Sequence, residues 1–157
     1  MSLADAINEP SKRAAIVADC CKLIDEEVSD KSGLSGLAVK AAFAVVKAVK
    51  PGFITEAVDH MLDDFVARLE PFWAEAQSKN EPVGALVNAR SGEVADALLT
   101  ISDERAARAK NQGVKKAYEK LRPTAKKNVE AAVPRLGRLI AKYASAAATQ
   151  PAAPPSA

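Results

Sequence analysis

Ser35-Gly36-Leu37-Ala38-Val39-Lys40-Ala41-Ala42-Phe43-Ala44-Val45-Val46-Lys47-Ala48-Val49-Lys50 is the stretch that decides the fold. Alanine is the strongest helix former, and no period-two alternation of the kind that marks a half-buried strand runs through these residues. The stretch therefore reads as a helix, apolar around most of its circumference, and such a helix belongs at the centre of a bundle. Lys40 and Lys47, seven apart, share one stripe and are expected to reach the rim. Pro51-Gly52 closes the helix, because proline disfavours helical dihedrals at the residue before it.

Upstream, Ser2 and Asp5 have the spacing of a capping box for a short first helix ending near Ile7. Pro10 suits a helix start, and Val17, Cys20, Cys21, Ile24 and Val28 then form one apolar stripe on a helix over 10–29. Downstream, Thr55 is the expected N-cap of a long helix with Val58, Leu62, Phe65, Leu69, Phe72, Trp73 and Ala76 inward, bent at Pro71. A fifth helix starts at Pro82 and carries Val83, Val87, Val94, Ala97, Leu98 and Ile101 inward, with a break at Ser91-Gly92. Ser102 is expected to cap a short helix over 103–110. Another short helix is expected over 114–121, before Pro123-Thr124 starts a last one with Val129, Val133, Leu136, Leu139, Ile140 and Tyr143 inward and a bend at Pro134. The sum is an all-α, single-domain bundle of about six or seven helices over 1–148, followed by a Pro/Ala tail, 149–157, of disordered composition.

Composition agrees. The chain has 157 residues, 48% hydrophobic and 27% charged, which fits a globular domain and excludes collagen, a disulfide scaffold or a wholly disordered chain. Aromatics are only 4%, so the core must come from many close-packed helical turns and not from a few large side chains. The N-terminal residues lack a basic region followed by an apolar one, and the stretch around Leu37–Val49 is too short to cross a bilayer. A cytoplasmic protein is the expectation. The two cysteines, Cys20 and Cys21, are adjacent, so on a helix they point about 100° apart and are expected to be free, packing as small hydrophobes.

Charge is unevenly distributed. Residues 1–50 balance, residues 51–104 carry eleven acids against three bases, and residues 105–157 carry twelve bases against two acids. Either the acidic helices neutralise the basic last helix, or Lys126, Lys127, Arg135, Arg138 and Lys142 face a partner. That partner would be a protein, a second copy of the chain or an anionic membrane surface. Nucleic acid is not favoured, because Tyr118 and Tyr143, the aromatics of the basic region, fall on inward stripes.

Catalytic patterns are missing. His60 is the one histidine; with Glu56, Asp59 and Asp63 it makes an acidic helix face, but a di-iron bundle needs paired Glu-x-x-His motifs and a zinc site here would lack soft ligands. No Gly-x-Ser-x-Gly occurs, and the loop Lys31-Ser32-Gly33-Leu34-Ser35-Gly36 lacks the Walker order. The expectation is a non-enzyme without metal or cofactor, acting as a helical binding or scaffold protein through its charge. The alternative is a carrier of a small apolar ligand, with Phe53, Phe65, Phe72 and Trp73 lining a gap between helices.

Several segments carry a resemblance: Asp30-Lys31-Ser32-Gly33-Leu34-Ser35-Gly36-Leu37-Ala38-Val39-Lys40, Val49-Lys50-Pro51-Gly52, Leu69-Glu70-Pro71-Phe72-Trp73, Glu93-Val94-Ala95-Asp96-Ala97-Leu98-Leu99 and Tyr118-Glu119-Lys120-Leu121-Arg122-Pro123. With Ala18-Asp19-Cys20 and Leu23-Ile24-Asp25, they make the chain similar to an uncharacterised family of small, all-helical bacterial proteins. The resemblance implies one helical domain and no particular activity.

Overall fold

The computed structural model describes the backbone of residues 1–148 and the side chains of residues 1–144. The expected tail, 149–157, lies outside the described residues. Seven helices follow one another, with no strand among the described residues: α1 (Leu3–Ile7), α2 (Pro10–Asp30), α3 (Gly33–Lys47), α4 (Phe53–Lys79), α5 (Val83–Ala89), α6 (Ser91–Arg108) and α7 (Gln112–Ala148). The chain is a single helical domain, as its sequence predicts.

Local chemistry accounts for most of the boundaries. The capping box forms: the Asp5 amide donates to Ser2 Oγ and the Ser2 amide to Asp5 Oδ2. The freed amides of Leu3 and Ala4 donate to Glu70 Oε2 of α4, at 2.8 and 3.4 Å, so a helix too short to stand alone is pinned to a long one. The α4 helix starts at Phe53, two residues ahead of the expected Thr55 cap. Its N-cap is Gly52 in a left-handed conformation (φ 74°), a geometry the Pro51-Gly52 turn reaches without strain. Arg90 makes the break between α5 and α6, tied to Glu75 and Glu93 and lying 5.0 Å from the Phe72 ring centre.

Two boundaries differ from expectation for the same reason, that a residue able to end a helix does so only when packing lets it. Ser102 does not cap a new helix; its hydroxyl donates back to the Leu98 carbonyl, one turn earlier, and α6 runs on to Arg108. Pro123 does not start a new helix either, but lies inside α7, as Pro134 does. Its missing N–H removes one backbone bond, and the turn before it is held by Asp103 of α6, which accepts from Tyr118 Oη at 2.6 Å and Arg122 Nε at 2.8 Å.

The Ala/Val-rich helix is not the centre of the bundle. That place belongs to α4 and α7, each of which touches five other helices. The main core is built from Leu3, Val58, Leu62, Val66, Leu69, Phe72, Trp73, Val87, Val94, Val133 and Ile140, with none of its members drawn from α3. Only Gly36, Val39 and Ala42 of α3 are buried, and the helix packs mainly on α7 with its opposite face in solvent. Apolarity all round a helix is compatible with a lateral position, because small side chains bring little area that must be covered.

Candidate functional site

Where α1, α2, α4, α6 and α7 converge, their side chains leave a pocket of about 260 Å³. Ile16, Leu23 and Ile24 come from α2; Leu62, Phe65 and Leu69 from α4; Leu98, Leu99 and Ser102 from α6; Val129, Ala132 and Leu136 from α7. Leu3 and Ile7 of α1 close one side. The geometry follows from helical periodicity: the inward residues recur every three or four positions, and several of them are only half-buried because they face this space and not another side chain. The polar groups in the wall are the Ser102 hydroxyl, engaged with the Leu98 carbonyl, and the Cys20 thiol. Burial first, then the neighbouring Cys21 and Asp19, push the Cys20 thiol up to about 11, so the wall is uncharged at neutral pH. Uncharged walls with one hydroxyl hold an apolar molecule by contact and offer little to orient it. A 150 Å³ apolar cavity suffices for benzene, so this volume suits a molecule of one or two rings or a short hydrocarbon chain.

Among the aromatics expected around such a gap, Phe65 alone lines this pocket. Phe72 is buried under Arg90, Trp73 donates its Nε1–H to the Met1 carbonyl at 3.1 Å, and Phe53 lies in a separate groove. The aliphatic walls from Leu98, Val129 and Leu136 were legible as inward stripes but not as a pocket, since the space depends on how far apart the helices settle.

The basic residues are divided. Arg135 reaches three acids of α2, with Glu27 at 2.7 Å, Asp30 at 2.5 Å and Glu26 at 3.5 Å. Lys142 Nζ is 2.6 Å from Asp19, also of α2, and Lys126 Nζ is 3.0 Å from Asp96 of α6. Lys142 first, then Tyr143, hold the Asp19 carboxyl below its usual range. The basic helix therefore does meet acids of its own chain, but more of them on α2 than on the acidic middle segment. Lys127 and Arg138 form no ion pair among the described residues.

A groove of about 340 Å³ between α4, α6 and α7 gathers His60, Ser102 and Tyr118 with Phe53 and Arg105. Their hydrogen bonds lead elsewhere: Ser102 to Leu98, Tyr118 to Asp103, and Arg105 to the His60 carbonyl at 3.1 Å. Nothing joins the imidazole to either hydroxyl, so the geometry of an activated nucleophile is not present. No group of three or more His, Cys, Asp or Glu side chains suited to a metal occurs among the described residues, and no described helix is long and apolar enough to cross a membrane.

A family model described as "Family of unknown function (DUF6918)" matches residues 3–144. No curated protein and no solved structure matches the chain.

Proposed function

The chain belongs to this family of unknown function, and we propose that it is a non-catalytic binder of a small apolar molecule, held in the pocket between α1, α2, α4, α6 and α7. The observation that carries the reading is a half-open pocket of about 260 Å³ whose walls, drawn from five helices, are almost wholly apolar. Apolar side chains that face such a space lack partner atoms on one side, and an apolar guest supplies those contacts while removing the surface from water. The protonated Cys20 and the engaged Ser102 supply neither base nor nucleophile, which supports binding without chemistry.

The test is a thermal-shift series with toluene, naphthalene and decane, paired with an Ala132→Leu variant whose longer side chain enters the pocket. At a ligand concentration of about 100 times Kd, binding adds about 2.7 kcal/mol and raises Tm by roughly 5–10 °C. The variant should match or exceed the parent Tm and lose the response to ligand. No shift with any of the three, together with a lower Tm for Ala132→Leu, means the space is not there and ends the proposal.

One observation favours a second reading. Lys116, Lys120, Lys127 and Arg138 fall on one exposed face of α7, and none has a carboxylate partner among the described residues. This row would dock an acidic protein. Such a complex forms at low ionic strength and dissociates in 0.5 M salt; a partner that stays bound there is not held by this row.

A further inference from the structure

Four large hydrophobic side chains remain exposed in the described structure, and three of them belong to α3: Leu34 at 87%, Leu37 at 64% and Val45 at 49%. Ala38, Ala41, Ala44 and Ala48 are exposed as well. At 100° per residue these seven fall within one sector about 120° wide, opposite the buried Gly36, Val39 and Ala42. The helix thus has two apolar faces, one spent on α7 and one uncovered. Scattered exposed leucines need no explanation, but a continuous stripe along a whole helix marks a contact surface.

Charge identifies what covers it. Between Asp30 and Glu56 the chain has Lys31, Lys40, Lys47 and Lys50 and no acid, in a protein with 20 acids overall. Lys40 and Lys47 run along one border of the exposed stripe. Lys47 and Lys50 keep partners beneath the face, Asp25 at 2.8 Å and Glu56 at 2.7 Å, while Lys40 has none among the described residues. A second copy meeting it α3 to α3 would set one lysine-edged stripe against another, with Lys40 at the midpoint of each helix. An apolar stripe edged by lysine, on a helix of about 22 Å that is too short to span, matches the plane of an anionic bilayer, where the stripe sinks below the headgroups and the ammonium groups stay among the phosphates.

We propose that α3 docks the protein on anionic membrane surfaces, through the stripe Leu34, Leu37, Ala41 and Val45 with Lys40 at its edge. The proposal stands on α3 alone and is independent of the pocket.

The experiment is co-sedimentation of the full chain with vesicles of phosphatidylcholine and of phosphatidylcholine with one quarter phosphatidylglycerol. Binding is expected to the anionic vesicles and to be weak on the neutral ones. Leu34→Ser and Leu37→Ser should each weaken it about tenfold, with Tm unchanged because both side chains are already in solvent. Lys40→Glu should remove the preference for the anionic lipid. The proposal fails if the parent protein ignores anionic vesicles, or if Leu37→Ser binds them as well as the parent does. It fails equally if light scattering shows a dimer that Leu37→Ser dissociates, which makes a second copy the occupant. Vesicle binding seen only after residues 149–157 are removed assigns the face to the chain's own terminus and overturns the proposal too.

Discussion

At Gly137 the backbone of α7 comes so close to α5 that a methyl group there would sit 3.0 Å from Gly84 Cα and 3.1 Å from Val87 Cγ2. Neither neighbour yields easily, since one is backbone and the other is fully buried. Gly137→Ala gains up to about 1 kcal/mol of helix propensity but meets an overpacking cost of roughly 1–3 kcal/mol. A net loss of about 1 kcal/mol is expected in urea unfolding. Gly84→Ala is the control: its added methyl finds its nearest neighbours, the carbonyl carbon and oxygen of Gly137, at 3.9 Å, an ordinary contact, so the propensity gain should appear unopposed. Equal stability for the two variants would mean that the α5–α7 approach is looser than described. The cysteines offer a second contrast on the same scale. Cys20, with its thiol raised to about 11 by burial, should be alkylated by iodoacetamide only as the protein unfolds or as pH climbs toward that value. Peptide mapping after a short reaction at pH 8 checks this, and rapid labelling of Cys20 in folded protein would contradict it.

Among the elements, α7 shows best what a sequence conveys and what it withholds. Its inward residues Val133 and Ile140 are buried, as their spacing predicts, and Ala132, Leu136 and Leu139 line the pocket. Its continuity was not legible, because Pro123 is equally at home at the first turn of a new helix or inside an old one. Asp103, twenty residues away, holds the turn before the proline and decides the matter. The distinction has a measurable sign. If α7 is continuous, Pro123→Ala restores a backbone bond to the Glu119 carbonyl and should stabilise the protein by roughly 1–3 kcal/mol. If the proline begins a helix, the same change removes a favourable start and Tm falls. The α3 helix carries the opposite lesson. Its helical state followed from its alanines, but its position did not, because an all-apolar pattern says that no face is forbidden burial without saying which face is buried. The pocket is a matter of volumes between elements, and no periodicity in a single segment reports it.

Across the whole molecule, α7 works as a charged spine whose cations reach two different neighbours in turn. Arg122 and Lys126 meet Asp103 and Asp96 of α6; Arg135 and Lys142 meet Glu27 and Asp19 of α2. Exposed pairs contribute little one at a time, yet here they join segments far apart in the chain, and they give stability a defined dependence on pH. Arg122, then Tyr118, lower the Asp103 carboxyl, and Lys142, then Tyr143, lower that of Asp19. Glu56 is lowered by Lys50, and Glu75 mainly by Lys79. The unfolded chain, with ordinary values of 3.8 for Asp and 4.5 for Glu, therefore takes up protons at a higher pH than the folded one does. This contribution is complete above about pH 5 and is lost as the pH falls through 4.5 and below. Melting curves should accordingly be level in this respect from pH 7 to 5 and then drop, with the drop smaller in 0.5 M salt. An Asp19→Asn, Asp103→Asn double variant should begin with a lower Tm at pH 7 and lose less on acidification, because two of the groups that bind protons differently in the two states are gone. If the variant falls with the same slope as the parent, Asp19 and Asp103 are not the source of the pH dependence, which then lies with the other lowered carboxyls, Glu56 and Glu75 among them.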